Sequence, residues 1–95
     1  MQILKETDIE NLVIAWATDH GWLCPKLQWV NQTGWPDRCF IKRGVVVFIE
    51  FKKPGGRISK KQHYWIGRIR EQGIPVIVCD SPEDALVFLA SHDNV

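Results

Sequence analysis

Two charged side chains end a strongly apolar run, and their types suit hydrolysis of a phosphate ester. Glu50 lies within the run 45–51, whose other side chains are all apolar, and Lys52 follows directly. Side chains of a strand alternate between its two faces, so Glu50 and Lys52 share one face. A strand that is apolar on both faces is typical of the covered centre of a sheet. A charge there needs a partner or a metal ion, because its desolvation is costly.

A second carboxylate, Asp37, is predicted to reach the same place. It begins a predicted strand over 37–42, which a tight turn at Arg43 and Gly44 joins to the strand that carries Glu50. Residues equally far from such a turn face each other in an antiparallel pair, so Asp37 falls opposite Glu50. Two converging carboxylates suit Mg²⁺ or Mn²⁺, which take further oxygen ligands from water and from a substrate phosphate.

A divalent cation at this pair would polarise a scissile phosphate and acidify an attacking water. Lys52 would either act on that water as a base or stabilise the charge that develops on the phosphate, and the sequence leaves both roles open. Structural alternatives exist for each residue. Glu50 and Lys52 would form a salt bridge at an exposed strand end, and Asp37 would form an Asx turn after Pro36.

These residues resemble a known signature of nucleases. Pro36-Asp37 followed by Glu50-Phe51-Lys52 resembles the PD-(D/E)xK motif. Further features, over about residues 8 to 80, are similar to the VRR-NUC family in its stand-alone phage and bacterial form. They are the block Gly34-x-Pro36-Asp37, Gln62 and Trp65 after the Glu-x-Lys strand, and the acid Glu10 on an N-terminal helix. The resemblance implies an α/β, restriction-endonuclease-like fold and metal-dependent cleavage of DNA.

The resemblance also implies roles that the residues alone do not assign. The backbone carbonyl of Phe51 would be a third metal ligand, Glu10 would support the metal site directly or through water, and Gln62 would lie beside the catalytic lysine. Glu10 and Gln62 each have a complete structural alternative, because each closes a predicted capping box that begins at Thr7 or Ser59. Both interpretations stay open at this point.

Basic residues are concentrated in the middle of the chain. The net charge is +1, yet the segment 26–70 holds eleven Lys or Arg and only two acids, Asp37 and Glu50. Such a segment favours binding of a polyanion such as DNA, although cations that merely solvate turns and helix ends would give the same pattern. Trp35 would stack on a base or be buried in the core. The candidate DNA contacts are Lys26, Trp35, Arg38, Lys53, Arg57, Lys60 and Lys61.

The elements that must position these residues are predicted in the order αβββαβα, in one domain of 95 residues with a mixed central sheet. Pro25 marks the first strand as an edge or a bulge, and the crossover through the second helix makes the last strand parallel to the central one. Tyr64 and Trp65 are expected to pack, and residues 93–95 to fray. The predicted helices cover about 8–19, 60–72 and 82 onward, and the strands 22–30, 37–42, 45–52 and 75–79.

Cysteine usage and hydropathy bear on the compartment. Cys24, Cys39 and Cys79 are odd in number and far apart, so they are expected to be buried free thiols in a reducing cytosol. Neither a long apolar span nor a leader pattern is visible. We therefore expect a soluble protein without a membrane partner, in the cytoplasm of a bacterium or of a phage-infected host.

Taken together, these patterns favour a Mg²⁺- or Mn²⁺-dependent nuclease that acts on branched or otherwise structured DNA. Its predicted catalytic set is Asp37, Glu50, Lys52, Gln62 and Glu10. Holliday-junction resolution is implied by the family resemblance, and two symmetric cuts predict a C2 homodimer. Two alternatives are a non-catalytic nucleic-acid-binding module and an interaction domain of phage replication or recombination machinery. The latter would present Trp22, Trp29 and Trp35 as an exposed aromatic patch.

Overall fold

Three helices and three strands make up the part of the chain that the computed structural model describes, residues 4–28 and 31–93. The predicted α/β class with a mixed sheet is confirmed, because β2 lies in the centre, antiparallel to β1 and parallel to β3. The parallel pairing follows from the crossover through α2. In chain order the elements are α1 (Glu6–Asp19), β1 (Arg38–Lys42), β2 (Val45–Phe51), α2 (Lys60–Glu71), β3 (Val76–Cys79) and α3 (Pro82–His92).

The turn between β1 and β2 sets the register of the hairpin. Arg43 and Gly44 both have positive φ, 47° and 83°, which is the type I′ geometry that matches the twist of two paired strands. The pairing ends with Arg38 opposite Ile49. One further step along this register places position 37 opposite position 50, as the turn predicts.

The strand predicted over 22–30 is wrong for the residues that are described. Leu23 and Lys26 form isolated antiparallel bridges to β1, and the further backbone hydrogen bonds from Cys39 to Pro25 and from Leu27 to Asp37 do not complete a regular strand. Pro25 between them has no amide hydrogen, so a regular ladder cannot run through this segment. Residues 29 and 30 lie outside the described part of the chain. The described elements therefore follow the order αββαβα.

Two apolar clusters cover the two faces of the sheet. On one face, alternate side chains of β2 such as Val47 pack with α1 and α3, and Ile9 is at the centre of that cluster. On the other face, Phe48 packs with α2 through Ile66. β2 is thus covered on both sides over its second half, as predicted, whereas Val46 near its start is 38% exposed.

The start of α1 differs from the prediction. The helix begins at Glu6, and the Asp8 carboxylate accepts a hydrogen bond from the Lys5 amide at 2.9 Å. The capping box predicted between Thr7 and Glu10 is therefore wrong. The helix starts earlier, and it is Asp8 that accepts from the amide of the N-cap residue Lys5. At the other end, Gly21 has φ of +88° and ends the helix as predicted.

The starts of α2 and α3 agree with the predicted caps. Ser59 and Gln62 form both hydrogen bonds of the capping box that begins α2, and the helix ends at Glu71. Ser81 Oγ accepts from the Asp84 amide at 3.3 Å, and Pro82 takes the first helical position of α3.

The carboxyl-terminal end of the described chain is held in place. Lys42 Nζ lies 2.8 Å from Asp93 Oδ2, and both side chains are mostly buried. The expectation that Asp93 frays is therefore wrong, while residues 94 and 95 lie outside the described part. The pair connects the end of β1 to the residue that follows α3.

The three cysteines are free thiols. Cys39 and Cys79 are buried and Cys24 is half-buried; burial raises the pKa of the Cys79 thiol to about 12. Among the described residues, no helix has the length and apolar character that crossing a membrane requires.

Candidate active site

Asp37 and Glu50 line one small cleft at the end of the sheet where β1 begins and β2 ends. Glu6 and Glu10 of α1 line the same cleft, together with Phe51. Asp37 is exposed, whereas Glu50 is only 6% exposed. The hairpin register thus brings an accessible carboxylate and a buried one together, with α1 supplying two more acids above them.

Glu50 is a buried acid that accepts no hydrogen bond from the residues the structure describes. Lys52, on the same face of β2, has its Nζ 4.0 Å from Glu50 Oε2, which is longer than a hydrogen bond. Burial raises the pKa of Glu50 to about 7; the Lys52 charge opposes this rise, and the charges of Asp37, Glu6 and Glu10 add to it. A bound cation would offset this excess of negative charge.

The backbone carbonyl of Phe51 is directed at a place where β1 has no donor. The amides of Phe48 and Lys52 donate to carbonyls of the β3 segment at 3.0 and 2.8 Å. Polar backbone groups alternate between the two neighbouring strands, so those of Phe51 are directed to β1. Continued two residues beyond its last pair, Arg38 opposite Ile49, the register would set Pro36 against Phe51, and proline has no amide hydrogen. That neighbour therefore offers the Phe51 oxygen no amide donor.

Arg38, not a helix cap, holds Glu10 at the cleft. Arg38 Nε donates to Glu10 Oε2 at 2.8 Å, and Arg38 Nη1 donates to the Cys24 carbonyl at 2.6 Å. The two charged side chains are 13% and 16% exposed. The structural alternative for Glu10, a capping box with Thr7, does not form. The guanidinium of Arg38, predicted as a DNA contact, is engaged with Glu10 and the backbone, and its contact with DNA stays a prediction.

The oxygen atoms at the cleft fit a hard divalent cation such as Mg²⁺ or Mn²⁺. Asp37 and Glu50 would hold it through carboxylate oxygens and Phe51 through its carbonyl. Across residues 4–28 and 31–93, no three His, Cys, Asp or Glu side chains are grouped so as to hold a metal ion by themselves. Mg²⁺ commonly binds through one or two carboxylates and leaves its other positions to water and phosphate.

Gln62 takes part in the cap of α2, which was its structural alternative. Its side-chain Oε1 accepts from the Ser59 backbone amide at 2.8 Å, and its backbone amide donates to Ser59 Oγ at 3.1 Å. The side-chain nitrogen keeps two hydrogens that the cap does not use. A second role of Gln62 as a donor beside Lys52 is compatible with the cap and stays a prediction.

The other predicted DNA contacts fall into two groups. Trp35 is half-buried and packs on Trp65 with ring centroids 5.0 Å apart, so it belongs to the cluster under α2. Lys61 donates to Thr33 Oγ1 at 3.0 Å. Among the predicted DNA contacts, the cations that lie exposed on the surface are Lys26, Lys53, Arg57, Lys60 and Lys61.

One acid at the cleft was not predicted, and the exposure of two aromatic side chains differs from the prediction. Glu6 lines the cleft four residues before Glu10, so both project from the same side of α1, and this spacing was the available signal. Tyr64 was expected to pack but is 58% exposed. Trp22 is 2% exposed, so the predicted aromatic patch cannot include it. A third member of that patch, Trp29, lies outside the described residues.

Comparisons with known proteins agree with this geometry. The family model of the VRR-NUC domain matches residues 12–83. A solved structure described as "VRR_NUC domain" is similar to the chain, with a TM-score of 0.80 and 26% identity over 92% of this chain and 95% of that chain. No curated protein matches the chain in sequence. The matched segment contains Asp37, Glu50, Lys52 and Gln62 and begins two residues after Glu10.

Proposed function

The chain belongs to the VRR-NUC family, a nuclease-type domain, and from that premise we propose that it is a Mg²⁺- or Mn²⁺-dependent endonuclease acting on branched or otherwise structured DNA. One observation carries the proposal. The buried carboxylate of Glu50 shares its cleft with Asp37 and with Phe51, at the end of β2. Three oxygen ligands of this kind suit a cation that also binds a phosphate.

Each residue of the cleft has a part in phosphodiester hydrolysis. Asp37, Glu50 and the Phe51 carbonyl would hold the cation, which would polarise the scissile phosphate and acidify water. Glu10, fixed by Arg38, supports the site through a water molecule or as an additional ligand. Gln62 donates from its side-chain nitrogen toward the reacting water.

Lys52 has two candidate roles that an experiment separates. As a base, its amine takes a proton from the attacking water. As an ammonium, it donates to a phosphate oxygen and stabilises the charge that develops there. Lys52→Arg keeps the charge and removes the base, because arginine stays protonated in proteins. Retained cleavage in this variant supports charge stabilisation, and loss of cleavage with unchanged DNA binding supports the base.

DNA would be recognised mainly through its backbone and its shape. Lys53 and Arg57 are exposed on the loop that leaves Lys52, and Lys60 follows at the start of α2. Contacts of this kind bind phosphates and position the duplex, but they carry no base sequence information. We therefore propose selectivity for DNA structure, with the Holliday junction as the leading substrate, and a binding affinity that falls steeply with salt.

Resolution of a junction by paired cuts requires two active sites, so we propose that the chain acts as a C2 homodimer. An exposed apolar row supports this. Leu23 bridges Ile41, which pairs with Val46, so the three lie side by side on one face; Leu23 is 65% and Val46 38% exposed. Light scattering of Leu23→Glu tests the row, with Val87→Glu on α3 as a control of similar exposure. A parent protein that is monomeric at working concentration would remove the dimer.

Cleavage of a labelled panel of junctions, flaps, nicked, duplex and single-stranded DNA tests the activity. The panel is run with Mn²⁺, Mg²⁺ or EDTA on the parent protein, Glu50→Gln, Lys52→Ala and the control Glu71→Gln, which changes an exposed carboxylate on α2. We expect metal-dependent cleavage by the parent and the control only. A folded parent that binds DNA in low salt but cuts nothing with any metal would support the non-catalytic binding module.

A further inference from the structure

A second cleft lies at the start of α2 and shares no lining residue with the carboxylate cleft. It has a volume of about 430 Å³, and its walls are the first turns of α2 and the loop 31–33. Sites that take small ligands commonly have volumes of about 300–1,000 Å³. The cleft is therefore large enough for a ligand well beyond the size of an ion.

One wall of this cleft is aromatic. Tyr64 is 58% exposed, and its ring meets that of Trp65 edge-on, with centroids 5.0 Å apart and an interplanar angle of 82°. Trp65 is supported from behind by Trp35, whose ring centroid is also 5.0 Å away. The two rings that line the cleft are thus nearly perpendicular, and the packing of Trp35 supports the Trp65 ring. A flat aromatic ligand would stack on one ring and place its edge against the other.

The same helix makes the cleft positively charged. Lys60 and Lys61 line it one turn before Tyr64 and Trp65, and none of its described lining residues is an acid. Lys61 donates to Thr33 Oγ1 at 3.0 Å, which holds the loop to the helix, while Lys60 makes no ion pair with any described residue. The positive end of the α2 dipole adds to this charge. Asn31 and Gln32 supply amide groups that both donate and accept hydrogen bonds.

We propose that this cleft binds one unpaired nucleotide of the DNA substrate, with its base stacked on Tyr64 and its phosphate at Lys60, a step that rests on the proposed function. A base offers a flat face and a polar edge, and its phosphate offers the negative charge that the lysines complement. The substrate class is therefore branched or structured DNA with at least one nucleotide that is unpaired beside the cut, as in a flap, or that unpairs there, as at the branch point of a junction.

The cleft is preformed and close to the candidate active site along the chain. A Cβ atom on Gly34 would lie 2.8 Å from the Lys61 carbonyl carbon, so the loop rests directly on the first turn of α2. Three residues lead from Gly34 to Asp37, which is at most about 10 Å of extended chain. A nucleotide seated in the cleft consequently keeps its strand near the carboxylates.

Binding measured without cleavage tests the proposal. Duplex DNA carrying one unpaired 2-aminopurine, and the same duplex fully paired, are titrated in EDTA with the parent, Tyr64→Ala, Tyr64→Phe, Lys60→Gln and the control Arg68→Gln, an exposed cation of α2 outside the cleft. We expect Tyr64→Ala to weaken binding of the unpaired substrate roughly tenfold and to restore the 2-aminopurine fluorescence that stacking quenches. We expect Tyr64→Phe to bind the unpaired substrate and quench its fluorescence as the parent does. Lys60→Gln should lower the salt dependence of the binding affinity.

Three results would overturn the proposal. They are an equal loss of affinity for both DNAs in Tyr64→Ala, no loss at all in a variant that melts like the parent, and binding of free deoxyadenosine monophosphate as tight as that of the DNA. The last would make the cleft a site for a free nucleotide. Failure of the proposed function is separate, because it shows as absence of metal-dependent cleavage by the parent, whereas these titrations contain no metal.

Discussion

Arg38 faces Ile49 at the last pair of the β1–β2 ladder, and two further steps along that register would set Pro36 against Phe51, where a proline cannot donate a hydrogen bond to the Phe51 carbonyl. β1 begins at Arg38, so its ladder with β2 ends before Asp37. Pro36 and Asp37 are adjacent: the first has no amide hydrogen to donate, and the second places a carboxylate in the cleft of Glu50. Proline next to Asp37 thus has a physical consequence for the candidate site.

Pro36→Ala is expected to weaken metal binding, because the new amide can donate to the Phe51 carbonyl and compete with the cation. A hydrogen bond worth about 1 kcal/mol corresponds to roughly a fivefold to tenfold loss of Mn²⁺ affinity. Calorimetric Mn²⁺ titration and the metal dependence of cleavage measure it, with Pro54→Ala in an exposed loop as the control. Parent-like Mn²⁺ affinity in Pro36→Ala would argue against the carbonyl as a ligand.

Glu50 is expected to make the metal-free protein less stable as the pH rises. Its pKa is raised from 4.5 to about 7 in the folded state by burial, with Asp37, Glu6 and Glu10 adding to the rise and Lys52 opposing it. Between these values the folded state binds more protons than the unfolded state, so the free energy of unfolding falls through this window, in total by about 3 kcal/mol. Glu50→Gln removes this fall.

Urea denaturation in EDTA at pH 5 and pH 8 checks this linkage. The parent should lose stability relative to Glu50→Gln between the two pH values, and Glu71→Gln should follow the parent because its carboxylate is exposed. Adding Mg²⁺ at pH 8 should return stability to the parent and not to Glu50→Gln, because a ligand that binds only the folded state stabilises it. Parallel pH profiles for parent and Glu50→Gln would contradict the linkage.

Arg38→Ala is expected to destabilise the fold by about 2–3 kcal/mol, since it leaves the mostly buried Glu10 carboxylate and the Cys24 carbonyl without their donor. Denaturation of Arg38→Ala, Glu10→Gln and the double variant gives a cycle, in which the loss should be clearly less than additive. The salt dependence of DNA binding should stay that of the parent. A shallower salt dependence would mean that Arg38 contacts phosphate after all.

Gly34→Ala is expected to cost more stability than Gly44→Ala. Both glycines have positive φ, +95° and +83°, so both variants meet the backbone penalty of about 1–2 kcal/mol. Only at Gly34 would the new Cβ lie 2.8 Å from the Lys61 backbone, whereas at Gly44 nothing lies within 4 Å. The added steric cost is on the order of 1–3 kcal/mol. Equal losses on denaturation would show that the loop moves away from α2 freely.

Local chemistry was enough to predict the hairpin and its two acids. Positive φ at Arg43 and Gly44 suits a two-residue turn, and the period-two alternation of β2 then decides which residues face each other, so position 37 opposite position 50 follows without knowledge of the rest of the molecule. The Ser59 cap was equally predictable, because its partners are three residues apart. Interactions of short span depend on little besides the residues that make them.

The surroundings of those acids depend on tertiary contacts. The partner of Glu10 is Arg38, 28 residues away, and that of Asp93 is Lys42, 51 residues away. The exposure of Tyr64 and the burial of Trp22 likewise depend on which helix covers which face of the sheet. A one-dimensional pattern states that a side chain is charged or aromatic, but its partner is chosen by the packing of elements that are distant along the chain. For that reason the acid pair and its strands follow from residue types and spacing alone, whereas the internal arginine, the burial of Glu50 and the second cleft depend on how α1 and α2 pack.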